Sequence, residues 1–321
     1  MDFNPLVSII IPVYNGGNYL REAIDSALAQ TYSNVEVLVI NDGSNDNGET
    51  ETIALSYGDK IRYFCKENGG VATALNLGIA CMKGDYFSWL SHDDLYYPEK
   101  IMMQVGVLAK LADKRDIIFS GFMVIDSAGN ELNRVLPLER YGSKQLETPL
   151  FALLHGMISG CSLLIHKSHF ERVGTFREDL LTTQDFELWF RMMCKHPCRI
   201  CEGILHMTRV HEGQGSKTQL KLYRQEGNSL WINIMKQLTD EEKIQIGGSV
   251  QEFYRNVYLL LLKYTTNYEA IRHAKKHAVN AVGMYGIVKQ CVFELSSGYV
   301  LMREAASVFK RKLTVFRRGT V

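Results

Sequence analysis

The feature that limits the fold most is an alternation running through the first ninety residues. Four short β-rich runs, VSIIIPV (7–13), NVEVLVI (34–40), IRYFC (61–65) and DYFSWL (85–90), are separated by stretches patterned as helices over 19–30, 47–57 and 71–82. Runs that are apolar without alternation fit strands buried on both faces, and strands joined through helices must run parallel. Gly, Asn and Ser stand where each helix would begin. The pattern predicts an α/β fold, a βαβαβαβ half of a doubly wound sheet flanked by helices.

Open sheets of this kind bind ligands at the carboxyl ends of their strands. Those positions hold Tyr14 and Asn15, Asp42-Gly43-Ser44, Lys66 to Gly70, and Ser91-His92-Asp93-Asp94. A dinucleotide site would need G-x-G-x-x-G after the first strand, and a P-loop G-x-x-x-x-G-K-[ST]; PVYNGGN is neither. Carboxylates at two of the four strand ends point instead to a ribose contact and a hard metal ion under a diphosphate.

Further along, a helix is expected over 98–111, a strand over 116–125, a DSAGN turn leading into ELNRVL, and a helix over 144–154. In QDFELWFRMM, residues Phe186, Trp189, Phe190 and Met193 fall at i, i+3, i+4, i+7 and predict one buried helix face. Asp185 lies in the first turn and projects from the other side. From about Thr239 the chain reads as helical, with Phe253, Val257, Leu260, Leu261 and Tyr264 on one face.

Composition narrows the partners. The 321 residues carry 36 Lys+Arg against 35 Asp+Glu, with 46% hydrophobic and 22% charged residues, which excludes a disordered chain and argues against a nucleic-acid binder. The balance is uneven: residues 270–321 hold 10 basic against 2 acidic residues, leaving 26 against 33 before them. This tail mixes the basic groups with Tyr285, Val292, Phe293, Tyr299, Leu301, Phe309 and Phe316. It reads either as a surface lying on an anionic membrane or as a helical cap packed on the domain or on a second copy in a homo-oligomer. No apolar run reaches the ~18 residues a span needs. An odd count of seven cysteines and an N-terminus without a basic leader predict reduced thiols and a cytoplasmic protein, peripheral on the inner membrane face if the tail binds lipid. Cys194, Cys198 and Cys201 have no second pair beyond them, so they read as thiols rather than a zinc site.

In order along the chain, VSIIIPVYNGGNYLREAIDSALAQTY, VINDGS, ENGGVATALNLGI and WLSHDDLYYPEKI closely resemble glycosyltransferase family 2 over roughly residues 6–216. The resemblance implies a GT-A, Rossmann-like, mostly parallel sheet over 1–225 with a helical region over 226–321. It also implies an inverting, metal-dependent transfer from a nucleotide-sugar donor, UDP-hexose, to a saccharide or lipid-linked acceptor in surface polysaccharide or glycan synthesis. On this resemblance Pro12, Val13 and Tyr14 line the base and Asp42 accepts from uracil or ribose, where residues alone would read Asp42-Gly43-Ser44 as a turn and cap. Asn68, Gly69 and Asn76 belong to a segment closing over the nucleotide, with Leu75 replacing a usual arginine. Asp93 holds Mn²⁺ or Mg²⁺. Asp94 ligates, contacts ribose or caps the next segment, and His92 stands behind the metal, with Ser91 where an aspartate is usual. Gly160 allows close backbone approach near donor and acceptor. Asp185 is the general base, against the alternative of an acidic residue favoured at a helix N-terminus. His211, in Arg209-Val210-His211, completes the metal or diphosphate site. The rival readings are a non-catalytic nucleotide-sugar-binding subunit of an assembly complex and a nucleotide-dependent oxidoreductase.

Overall fold

The computed structural model describes residues 3–278. They fall into two compact units, one up to Tyr223 and one from Arg224 onward.

The first unit begins β1 (Val7–Val13), α1 (Leu20–Leu28), β2 (Val35–Asn41), α2 (Glu49–Leu55), β3 (Arg62–Cys65), α3 (Val71–Cys81) and β4 (Tyr86–Trp89). It continues with β5 (Leu95–Tyr96), α4 (Lys100–Lys110), β6 (Ile117–Ile125), β7 (Glu131–Val135), α5 (Ser143–Leu146), α6 (Phe151–Leu154), β8 (Ile165–His166), α7 (Ser168–Val173), α8 (Gln184–Met193) and β9 (Cys198–Arg209). One sheet has the order β3-β2-β1-β4-β8; its first four strands are parallel and β8 joins β4 antiparallel. Every residue of the central β1 is buried, as its unbroken apolar run predicts. The mostly parallel sheet flanked by helices is the architecture the sequence pattern predicts.

The second sheet, β5-β9-β6-β7, pairs β6 with β9 in parallel and places β5 and β7 antiparallel at its edges. Strand β9 runs for twelve residues, from Cys198 to Arg209. Its end carries Arg209 and, just beyond, His211 toward the acidic turn that follows β4.

Two local expectations need correction. The single helix expected over 144–154 is two four-residue pieces, α5 and α6. Pro149 lies between them: it lacks an amide hydrogen, disfavours helix in the residue before it, and is followed by Leu150 at φ 64°. In α8 the fully buried set is Gln184, Leu188, Trp189, Phe190, Met192 and Met193, with Phe186 only half-buried. Aromatic partners account for the core side: Phe176 meets Trp189 at 5.6 Å and Trp89 at 6.2 Å between ring centroids, edge to face.

After a short turn, α9 (Gly215–Thr218), the helix α10 (Leu220–Gln237) crosses the division, and the second unit adds α11 (Asp240–Gly247), α12 (Val250–Tyr264) and α13 (Tyr268–Ala278). Thr239 and Glu242 form the capping box that starts α11. Phe253, Val257 and Leu261 are buried as expected, but Leu260 is only half-buried and the stripe widens through Tyr254 and Tyr258 instead. Among the described residues no helix is long and apolar enough to cross a membrane. The aromatic and basic part of the tail, from 279 onward, lies outside the described residues.

Candidate active site

Parallel pairing of β1 with β2 sets Val13 beside Asn41, so the turns that follow both strands meet. They are zipped together by a reciprocal amide pair: Asn15 Nδ2 donates to Asn45 Oδ1 and Asn45 N to Asn15 Oδ1, both at 2.8 Å. Asp42, 3% exposed, lies just past β2. Its carboxylate accepts from Lys66 Nζ at 2.6 Å, Gly69 N at 3.1 Å and Gly70 N at 2.7 Å, while Asn68 Nδ2 donates to its carbonyl at 2.9 Å. Gly43 makes this cradle feasible: it sits at φ +67°, and a Cβ there would stand 2.6 Å from Asn68 N.

After β4 comes the acidic turn. Asp93 Oδ2 lies 2.9 Å from His211 Nε2, and both side chains are mostly buried yet border the same cavity. Asp94, one residue on, is 5% exposed and is committed to the fold, accepting from Arg209 N at 2.8 Å and from Cys161 Sγ at 3.3 Å. Burial, and next the charge of Asp93, hold its carboxyl well above the ordinary aspartate range. His92 is pushed the other way: burial, helped by His211 and opposed by Asp93, lowers its pKa. It packs where a Cβ on Gly16 would come within 3.1 Å of its ring.

Asp185 opens α8. Its Oδ1 accepts from Phe186 N at 2.7 Å, and burial raises its pKa above the ordinary aspartate value. Tyr223 lies close enough to feel the charge, which adds to burial in holding its phenolic proton. Between Asp185 and the Asp93–His211 pair is a cavity of about 770 Å³ that also takes in Tyr14, Asn15, Ser159, Gly160 and Gln214. A second cavity of about 210 Å³ continues toward Pro12, Val13, Asp42, Val71 and Ala74, and the two share Tyr14, Trp89, Ser91, His92 and Asp93. Gly160 is required by close approach, since a Cβ there would meet Trp89 Cε3 and Cζ3 at 2.8 Å.

The structure therefore brings Pro12, Val13, Tyr14, Asp42, His92, Asp93, Asp94, Gly160, Asp185 and His211 around two joined cavities. Asn68 and Gly69 support Asp42 from behind. Asn76 is elsewhere in role: its amide donates to Phe176 O and Glu178 Oε1, both at 2.9 Å, and accepts from Phe176 N at 3.0 Å, tying α3 to the segment before α8. Sequence reasoning assigned no role to Lys66, Trp89 or Arg209. A lysine directly after β3 and a tryptophan ending β4 were signals of position alone; the partners of Arg209 come from three distant segments and left no local pattern.

Among the described residues no three His, Cys, Asp or Glu side chains gather as a metal-binding group. Asp93 and His211 nevertheless fit a divalent ion of the kind held by one or two side chains with water and phosphate oxygens completing the shell. The imidazole favours Mn²⁺ over Mg²⁺, whose sites are built from oxygen.

The sequence profile of Glycosyl transferase family 2 matches residues 8–174, and the chain belongs to that family. An uncharacterized glycosyltransferase of Rickettsia typhi is 47% identical over 296 residues, covering 91% of this chain and 92% of that one. The chain spans about 40% of the length of other, longer Rickettsia relatives. Two solved structures share the fold: Staphylococcus aureus TarS 1-349 in complex with UDP-GlcNAc (TM-score 0.54, 14% identity, 85% of this chain and 88% of that one) and the mannosyltransferase PcManGT of Pyrobaculum calidifontis with GDP-Man and Mn²⁺ (TM-score 0.56, 17% identity, 95% and 86%).

Proposed function

We propose that this chain is an inverting, metal-dependent glycosyltransferase that moves a sugar from a nucleotide-diphosphate donor, UDP-hexose, to a hydroxyl of a saccharide or lipid-linked acceptor. The observation that carries the reading is the placement of Asp185 on the cavity that also receives Asp93 and His211. One carboxylate for the acceptor proton and a carboxylate–imidazole pair for a diphosphate's cation are what a single in-line displacement at an anomeric carbon needs.

In this mechanism the smaller cavity takes the nucleoside, against Pro12, Val13 and Tyr14, with Asp42 at its end. Lys66 and the Gly69 and Gly70 amides fix the Asp42 carboxylate before any ligand arrives. Asp93 and His211 would hold a divalent ion, which would supply positive charge against the departing diphosphate. Trp89 walls the sugar between the two cavities. Asp185 accepts the acceptor hydroxyl's proton as the oxygen attacks; the raised pKa that burial gives it makes it a stronger base than an exposed aspartate. Asp94, hydrogen-bonded to Arg209 and Cys161, acts by holding the turn. Binding of UDP-GlcNAc by TarS and of GDP-Man with Mn²⁺ by PcManGT supports a nucleotide-sugar donor and a divalent cation. We extend the reading to surface polysaccharide or glycan assembly at the cytoplasmic face of a membrane, with the basic tail on anionic lipid. Truncation at about Asn267 should then abolish sedimentation with anionic liposomes.

The test is calorimetric titration with UDP, GDP and dTDP, with and without Mn²⁺, on the wild type and Asp93→Asn. Mn²⁺-dependent binding of one nucleotide, lost in the variant, supports the donor site. A second reading, a non-catalytic nucleotide-sugar-binding subunit, is favoured by Leu75 and Ser91 at positions where the family carries charge. It expects binding without turnover.

A further inference from the structure

We infer that Arg209 is a positioning residue for the diphosphate end of this site, presetting Asp93 and His211 in the geometry a cation requires; the inference rests on the donor-site reading above. Arg209 ends β9 and is 2% exposed, so its charge is buried, and it is not among the cavity-lining residues. Burying a guanidinium requires partners for its fork of donors, and here they come from three separate segments. Nε donates to Asp93 O at 2.9 Å, an Nη to Ser127 O at 3.2 Å, and the other Nη to Glu22 Oε2 at 2.7 Å.

Two routes lead from this one side chain to the two candidate ligands. The first is through the backbone. The bond to Asp93 O fixes the peptide that follows Asp93, and the Arg209 amide holds Asp94 Oδ1 at 2.8 Å. The acidic turn is thus gripped at two adjacent residues. The second route is through an aromatic ring. The guanidinium carbon sits 4.4 Å from the Tyr19 ring centroid, and that ring packs at 5.2 Å against His211. Tyr19 Oη also donates to Ser127 O at 3.3 Å, the carbonyl that Arg209 shares. Tyr19 therefore contacts both the guanidinium and the imidazole, and its packing on the His211 ring limits rotation of that side chain.

Lysine would not reproduce this. An ammonium on a flexible stem can reach one or two of the acceptors, but it has no planar fork to span Glu22, Ser127 and Asp93 and no flat face for Tyr19. Glu22 is the accessible end of the device: its side chain is 55% exposed and is not among the cavity-lining residues.

The experiment compares wild type, Arg209→Lys and Glu22→Gln by calorimetry with uridine, and with UDP across a Mn²⁺ series. Circular dichroism and thermal unfolding are followed in parallel. Uridine reaches the nucleoside cavity but has no phosphate, so it separates local positioning from general damage. We expect Arg209→Lys to weaken UDP binding at least 10-fold and to raise the half-saturating Mn²⁺ concentration by a similar factor, with uridine affinity changed less than twofold. Glu22→Gln should shift Mn²⁺ in the same direction by about threefold, and it carries the test if Arg209→Lys does not fold. Equal losses of uridine and UDP, or an unchanged Mn²⁺ requirement in the folded variants, would overturn the inference. If the wild type bound no nucleoside diphosphate, the donor-site reading itself would fall and take this inference with it.

Discussion

Replacing Gly160 by alanine tests whether the wall between the two cavities is as tightly built as the geometry says. The added Cβ would stand 2.8 Å from Trp89 Cε3 and Cζ3, where ordinary contact begins near 3.4 Å, so the indole must retreat by about 0.6 Å. It has little room: Trp89 is 8% exposed and its ring is backed by Phe176, which in turn meets Trp189. Overpacking of this kind costs about 1–3 kcal/mol, which in a unit of this size lowers Tm by roughly 2–12 °C. Because Trp89 borders both cavities, nucleotide-sugar affinity should fall with stability, and the tryptophan emission should shift. Gly106→Ala is the control. Gly106 lies inside α4 with nothing within 4 Å of its would-be Cβ, so alanine there should be neutral or stabilising by up to ~1 kcal/mol. Differential scanning fluorimetry and calorimetric titration of both variants decide the matter. If Gly160→Ala matched the wild type in Tm, affinity and emission, the close approach to Trp89 would have no energetic content and the wall would be wrongly drawn.

Asp185→Asn should keep nucleotide binding and lower turnover by about 10²–10⁴-fold; nucleoside diphosphate release at the wild-type rate would remove Asp185 as the base. Because burial raises the Asp185 pKa above its ordinary 3.8, the base is lost on acidification earlier than an exposed aspartate would be, and the acid limb of the kcat/KM profile should lie above that value. A limb at or below 3.8 refutes it. Lys100, buried in α4 with its ammonium on Ser88 Oγ and Gln104 Oε1 at 2.9 Å each, has its pKa lowered to about 7 by burial. The unfolded chain keeps that proton up to about 10.5 while the folded chain releases it near 7, so between these values the unfolded state binds more protons and stability rises with pH. The full window is worth at most about 5 kcal/mol. Urea unfolding of Lys100→Met should show that rise removed relative to wild type, and an identical pH slope in the two proteins would contradict it.

What the sequence made readable follows from how local each signal is. The β1 to β4 alternation is carried by contiguous apolar residues, so strand type and parallel pairing were legible; burial on both faces holds for β1 and β4, but β3, at the sheet edge, is half-buried with Cys65 exposed. Asp42, Asp93 and Asp185 were legible as positions, because strand ends and a helix start are local features. Their partners were not. Nothing near Asp42 announces that Lys66 and two backbone amides occupy its oxygens, and nothing near Asn76 announces that its amide clasps Phe176 and Glu178 a hundred residues later. Periodicity also misled where a single residue overrode it. Pro149 divides a stretch whose apolar spacing fits a helix, and in α8 Trp189 packs on Phe176 in the core while Phe186 stays half-buried. Strand β8, two residues long, has too little pattern to be seen without its partner β4.

The pairing of β9 with β6 has a consequence for the order in which the chain acquires its properties. His211 meets Asp93 across 118 positions and Arg209 meets Glu22 across 187, so these contacts close some of the longest loops in the first unit. Loop closure of that span is paid in chain entropy before any local gain returns, and such contacts form late. A chain lacking β9 would carry the turns after β1 and β2 but neither Arg209 nor His211, so the proposed cation end of the site would be incomplete. On the donor-site proposal, competence to grip a diphosphate would appear only after the last strand has docked, and donor binding would stabilise complete molecules over unfinished ones.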